Sequence, residues 1–425
     1  MDGAGAPSDR ADEFLSRCHE MTEGAELAPE GLAGECARGM VEINTPPASS
    51  VEELAAAYLE RLDLALRAGR ELGVRLYPLA TYPLPIAPSL RKDLSYELQA
   101  LTLGRGRFLN AARFTGVHLH LEVPEGTIDL DTVVSGDAPE AAREELLNLY
   151  NLGTALDPAL VALTRSCPFY EGLAPGLAVR TAFYRGSALF GWEGLYTDLP
   201  EVGGLRPYAR SIEELVERQL SSYEAWLAAM DRAGVERRLF FEAGGNILKA
   251  SWNPVRINQH GTVELRGIDS NYPETVLAVA ALVQAAAGRV RNEGLTVEPD
   301  EETRVMEVRG DRLLVPEFAY LGGSLSYAAA TGGVEITEVS AYLDSIFEFA
   351  APGGAEPNVL SGLRYPDGYY KITEMEILAA FPTVFPLPAD EGLRLVCESC
   401  NELEKQVSFL QQGSPYKLER GAKKT

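Results

Sequence analysis

Apolar residues recur at helical spacing through residues 51–73 (VEELAAAYLERLDLALRAGRELG), after Ser49 and Ser50 and up to Gly73. The pattern predicts a helix capped at both ends. Similar periodicity, punctuated by polar residues, Pro or Gly, predicts helices over 137–150, 157–166, 211–234, 273–293 and 391–411. Short strand-like runs fall between them at Met40–Thr45, Arg75–Leu79, Val117–Val123 and Thr262–Ile268. Strands separated by long helices and irregular loops give an α+β class. The charged, turn-rich stretch 296–316 (TVEPDEETRVMEVRGDRLLVP) marks a soft boundary between a core over 1–300 and a mainly helical region over 301–425 that completes the same unit.

Side chains alternate between the two faces of a strand. In Val117–Val123 the valines and leucines take one face, and His118, His120 and Glu122 take the other. Glu264 and Arg266 oppose Val263 and Leu265, and Glu42 and Asn44 oppose Val41 and Ile43. One sheet presenting all three polar faces would combine carboxylates, imidazoles and a fixed guanidinium, a set suited to divalent cations and a clamped phosphate. Any one of these strands reads more simply as amphipathic with a solvated outer face. Agreement among three shifts the reading towards a site.

Composition narrows the partners. Asp and Glu number 62 against 38 Lys and Arg, a net charge of −24, so nucleic acid and anionic membrane meet long-range repulsion. Small phosphates remain compatible, because divalent cations neutralise them. The best candidate for a membrane span, Val276–Ala287, is short and broken by Gln284, and MDGAGAPSDRADEF lacks the basic and apolar parts of a secretory signal. A cytoplasmic protein is expected. Five cysteines are too few and scattered for a disulfide framework, and Cys397-x-x-Cys400 supplies only half of a zinc site, which Cys18 and His19 would have to complete. Reduced cysteines on a C-terminal helix are the simpler expectation. There is no GxxxxGK[ST], HExxH or GxSxG motif. Gly104–Phe108 (GRGRF) looks like a turn whose Arg105 and Arg107 are available to a phosphate, and Cys167, with no placed base, reads as a structural thiol.

Several segments, in order, resemble the second family of glutamate-cysteine ligases, the bacterial carboxylate-amine ligases: MVEINTPP (40–47), GVHLHLEVP (116–124), LDPALVALTRSCPFYEGLAPGLAVR (156–180), WNPVR (252–256) and GTVELRGIDSNYPETVLAVAALVQA (261–285). The resemblance covers roughly residues 36–290. It implies a glutamine-synthetase-like antiparallel sheet curved into a funnel, with ATP and Mg2+ or Mn2+ inside. It also implies a carboxylate, usually the γ-carboxylate of glutamate, attacking ATP to form an acyl phosphate that an amine captures; the partners are then small-molecule amino acids and amines, and a homo-oligomer is compatible with it. Carried over by position, Glu42, His118 and Glu264 are expected metal ligands, with Glu264 and Arg266 catalytic and Arg266 on the transferring phosphate. Arg180, Trp252 and Arg256 are expected on the substrate, and Arg105, Arg107 and His120 on ATP. For Arg180 an ordinary surface ion pair is the competing reading. The chain departs from the family in showing no GVExEF-like strand ahead of MVEINTPP; DRADEFLSR resembles the helix that normally follows that strand. Fewer metal-binding carboxylates keep open a catalytically impaired ATP- or amino-acid-binding protein of the same fold. A metal-dependent hydrolase built on His118 and His120 is a third reading.

Overall fold

The computed structural model describes residues 1–22, 31–187, 189–352, 358–381 and 384–413. Its helices are α1 (Ala11–Thr22), α2 (Val51–Leu72), α3 (Leu94–Leu103), α4 (Arg105–Phe108), α5 (Glu140–Thr164), α6 (Pro200–Gly203), α7 (Ile212–Arg232), α8 (Arg237–Glu242), α9 (Pro273–Glu293), α10 (Ser326–Thr331), α11 (Thr337–Ala350), α12 (Thr373–Ala380) and α13 (Ala389–Gly413). The strands are β1 (Leu32–Gly34), β2 (Val41–Ile43), β3 (Gly116–Glu122), β4 (Ile128–Asp129), β5 (Val133–Val134), β6 (Val255–Asn258), β7 (Thr262–Asp269), β8 (Thr296–Asp300), β9 (Glu307–Arg309) and β10 (Arg312–Pro316). The class is α+β, as expected.

Local signals place α2 well. The Ser50 hydroxyl accepts from the Glu53 N–H, and Gly73 closes the helix in the left-handed region at φ 66°. Ser211 caps α7 in the same way. The helices expected over 137–150 and 157–166 are instead one, α5, running through Pro158. An interior proline costs about 3 kcal/mol, but Leu152, Leu156, Leu160 and Leu163 around it are at most 1% exposed, and burying them outweighs that cost. By length and composition α5 could also cross a membrane, contrary to the reading that no such stretch exists; 89% of its most apolar window is buried inside the protein. It is a core helix.

The strands of the described residues divide among four small sheets. The central one has the order β3-β7-β6, antiparallel throughout. One side of it contributes Leu121, Val255, Val263 and Leu265 to the main core shared with α5 and α9. The strand carrying Glu42 does not join this sheet as expected; β2 pairs with β1 in a separate hairpin. Alternation reports which face a side chain takes, but it does not report which strand lies alongside. Arg75–Leu79 forms no strand. The soft boundary at 296–316 is a three-stranded sheet, in which β8 pairs parallel with β10 across residue 300.

A buried ion pair ties the C-terminal part to the end of α5. Arg165 donates from Nε and Nη2 to Glu374 at 2.9 and 2.6 Å and from Nη1 to the Thr331 carbonyl, while the Glu374 N–H returns to the Arg165 carbonyl. Removing one member strands a charge in the interior. Glu374→Ala should therefore lower unfolding stability by about 3–5 kcal/mol in urea titrations, and a paired Arg165→Met/Glu374→Leu replacement should recover most of that loss.

Candidate functional site

The polar side of the central sheet is organised around one carboxylate. Register sets His120 of β3, Glu264 of β7 and Arg256 of β6 side by side across the three strands. Glu264 is 1% exposed, so its oxygens must find partners within the protein. Oε2 accepts from Arg256 Nε at 2.5 Å and Asn258 Nδ2 at 2.6 Å, and Oε1 accepts from Arg266 Nη1 at 2.5 Å. His118 Nδ1 stands 3.4 Å from Oε1 and His120 Nε2 4.0 Å. The alternative of a solvated outer face is thereby excluded for β7.

A β-bulge brings His118 and Arg266 together. Between the pairs Val117–Ile268 and Leu119–Leu265 only His118 lies on β3, whereas Arg266 and Gly267 lie on β7. The extra residue re-aims the strand, and His118 Nδ1 lies 3.4 Å from Arg266 Nη1. Burial, followed by repulsion from Arg266, holds the His118 imidazole well below its ordinary pKa of 6.5. Burial alone would raise the Glu264 carboxyl, but Arg266 and Arg256 outweigh it and hold the group well below the carboxylate range. Burial lowers Arg256, whereas for Arg266 the Glu264 charge overcomes burial and raises the pKa.

Arg180 sits beside this cluster and is buried, not part of a surface ion pair. Its Nη2 donates to the Arg266 carbonyl at 3.0 Å, and Nη1 stands 3.9 Å from Asp269. Asp269 is pushed up to about 6 by burial, against the pull of Arg180. Two glycines make the room. A Cβ on Gly116 would overlap the Arg180 guanidinium, and one on Gly267 would overlap the buried, bidentate Asp157–Arg185 pair. That pair anchors a single π-helical turn, Thr181–Arg185, which follows Arg180 directly.

The other expected residues lie further out. Glu42 is half-buried, accepts only a 3.4 Å hydrogen bond from Asn44, and has its carboxyl raised by burial and then by Glu35; Glu264 and Arg266 also act on it electrostatically. Trp252 stacks on Tyr196 (5.7 Å, 16°) and meets Trp226 edge-on. Residues 104–108, expected as a turn, hold the short helix α4, where Arg105 pairs with Glu97 and Arg107 with Asp198 and Glu193. None of those bonds reaches Glu264. Cys167 is buried, accepts from the Thr81 N–H, and has its thiol raised by burial, consistent with a structural role. All five cysteines are free. Two surface clefts of about 260 and 300 Å3 are lined by none of the expected site residues.

These residues as arranged do not make a seat for a divalent ion. Both Glu264 oxygens are taken by guanidinium and amide donors, and among the described residues no three His, Cys, Asp or Glu side chains gather to hold a metal. Asn258, Tyr184 and Tyr196 were not foreseen. Asn258 follows the WNPVR motif by two residues, which alternation from Arg256 would have placed on the same face.

The model of glutamate-cysteine ligase family 2 matches residues 6–321. The chain belongs to that family. It is 28% identical over 266 residues to "Putative glutamate--cysteine ligase 2-3" of Rubrobacter xylanophilus, an alignment covering 61% of this chain and 60% of that protein. It is 26% identical over 171 residues to "Putative glutamate--cysteine ligase 2-1" of Streptomyces avermitilis, covering 40% of each. The chain thus spans 60% or less of the length of these curated relatives. At family level it is a carboxylate-amine ligase.

Two outcomes are expected from the site's packing and charges. Gly267→Ala should cost about 3 kcal/mol or more by displacing the Asp157–Arg185 pair, whereas Gly106→Ala, with open space around it, should be near neutral; thermal unfolding distinguishes them. The second concerns pH. A depressed imidazole is neutral when folded, and the unfolded chain takes up a proton below about 6.5, so this stability is present above 6.5 and lost as pH falls. Asp269 acts in the opposite sense, but only between about 6 and 3.8. From pH 7 to 6 the imidazole should dominate, and His118→Gln should remove roughly 0.5–1 kcal/mol of the decline seen in urea titrations.

Proposed function

We propose that this family member is an ATP-dependent ligase that joins an amino acid's carboxylate to an amine through an acyl phosphate, with glutamate as donor and cysteine or another amino acid or amine as acceptor. The observation carrying this reading is the group of three buried arginines, Arg180, Arg256 and Arg266, packed about a single carboxylate beside two imidazoles. Such a group suits chemistry in which negative charge moves between a carboxylate and a phosphate. A funnel-like opening on the polar side of the central sheet is part of the proposal.

The donor carboxylate attacks the γ-phosphorus of ATP, the bond to the β-phosphate oxygen breaks, and ADP leaves. The amine then attacks the acyl carbon and expels phosphate. Arg266, with Arg256 beside it, bears on the transferring phosphate; Arg180 holds a substrate carboxylate; His120, the more exposed imidazole, lies towards the nucleotide. ATP enters with its own divalent ion as part of the substrate, and no step is assigned to a resident metal. Glu264 fixes the two guanidinium planes. Its saturation by those guanidiniums favours a second reading as well, a ligand-binding protein of the same fold that no longer turns over.

The test is release of ADP and phosphate with Mg2+, ATP and glutamate against a panel of amines, with products identified by mass. One amine should stimulate release and give a condensed product, and Arg266→Lys should lower the rate by about 100-fold or more. Binding of ATP without turnover for any donor-acceptor pair would instead establish the binding protein.

A further inference from the structure

Arg180 and Arg266 come from different parts of the fold, one preceding the π-helical turn and the other in the β7 bulge, yet their guanidiniums must keep a fixed relation to serve one anion. Three facts identify what holds them. Tyr184, within the turn, places its ring 5.5 Å from the Arg180 guanidinium carbon. The same ring meets Tyr196 edge-on at 5.7 Å, and Tyr196 stacks on Trp252. The Tyr184 hydroxyl also interacts with the Arg266 guanidinium and the Tyr196 hydroxyl. One side chain therefore touches both arginines and is itself backed by a wall of aromatic rings.

The turn that carries Tyr184 is rigidly placed. Arg185 is locked to Asp157 by two 2.7 Å bonds, and Gly186, at φ 59°, packs so closely on Gly194 that a Cβ on either would overlap the other's backbone. A π-helical turn inserts a residue relative to an α-helix and commonly marks a functional position.

We infer that Tyr184 is the positioning residue of a two-arginine anion seat, its ring aligning Arg180 and its hydroxyl aligning Arg266. This deepens the ligase reading and rests on it only for the identity of the anion. The ring and hydroxyl contributions separate. Tyr184→Phe keeps the cation–π contact and loses the hydroxyl, and Tyr184→Leu loses both.

Inorganic pyrophosphate is the probe, with affinity measured by calorimetry on the full chain and folding checked by thermal unfolding. Tyr184→Phe should weaken binding by about three- to tenfold and Tyr184→Leu further, with Arg180→Lys at least as weak. In a ligase assay the Phe variant should raise KM for the anionic substrate more than it lowers kcat. No pyrophosphate binding by the unaltered protein, or equal affinity in the folded Phe variant, overturns the inference. Absent ligase turnover together with weakened pyrophosphate binding in the Phe variant would sink the ligase reading and leave Tyr184's role standing.

Discussion

Glu264 is the constraint on which the central arrangement depends. A carboxylate at 1% exposure is tolerated only if its charge is matched and its lone pairs are filled. Arg256, Asn258 and Arg266 do both. The relation is mutual, because without Glu264 two guanidiniums on neighbouring strands would face each other across buried space. The three-strand row His120–Glu264–Arg256 is thus more than a consequence of register: it fixes register, since a one-residue slip would carry Glu264 into the apolar layer beneath the sheet.

The surroundings repeat that solution at other points. Asp157–Arg185, Arg165–Glu374 and the looser Arg180–Asp269 pair are all buried, and each joins segments distant in sequence. Asp157 lies within α5 and Arg165 at its end, so this one core helix anchors the π-helical turn on one hand and the C-terminal region on the other. Buried pairs add little net stability over apolar packing. What they supply here is position: each guanidinium has one carboxylate geometry that satisfies it, and the glycines at 116 and 267 leave space only for that geometry.

Much of this was legible in the sequence, and the remainder was hidden for identifiable reasons. Alternation in 117–123 and 262–268 found His118, His120, Glu264 and Arg266 on polar faces because period two survives in any sheet. It could not reveal that Glu42 sits in a separate hairpin, because pairing partners leave no trace in a strand's own period. Strand β6 was missed: only four residues follow Pro254, too short a run for periodicity to register. Pro158 looked like a helix end because its local cost is visible in sequence, whereas the leucine packing that overrides it is not. Tyr184 was invisible, since a π-helical turn follows from packing around Asp157 and Gly194 and not from residue preference.

The saturation of Glu264 also says how an anion would have to be received. Arg266 and Arg256 already spend donors on the carboxylate, so an incoming phosphate or carboxylate meets guanidiniums that are oriented but only partly free. Arg266 retains a buried Nε with no partner, and such an orphan donor is costly to leave unmatched. A second anion that accepts from it would relieve that cost without breaking the bond to Glu264. The fold thus keeps the guanidinium plane fixed by one carboxylate while leaving a donor for another acceptor, which is the preorganisation that a charge-transferring site requires.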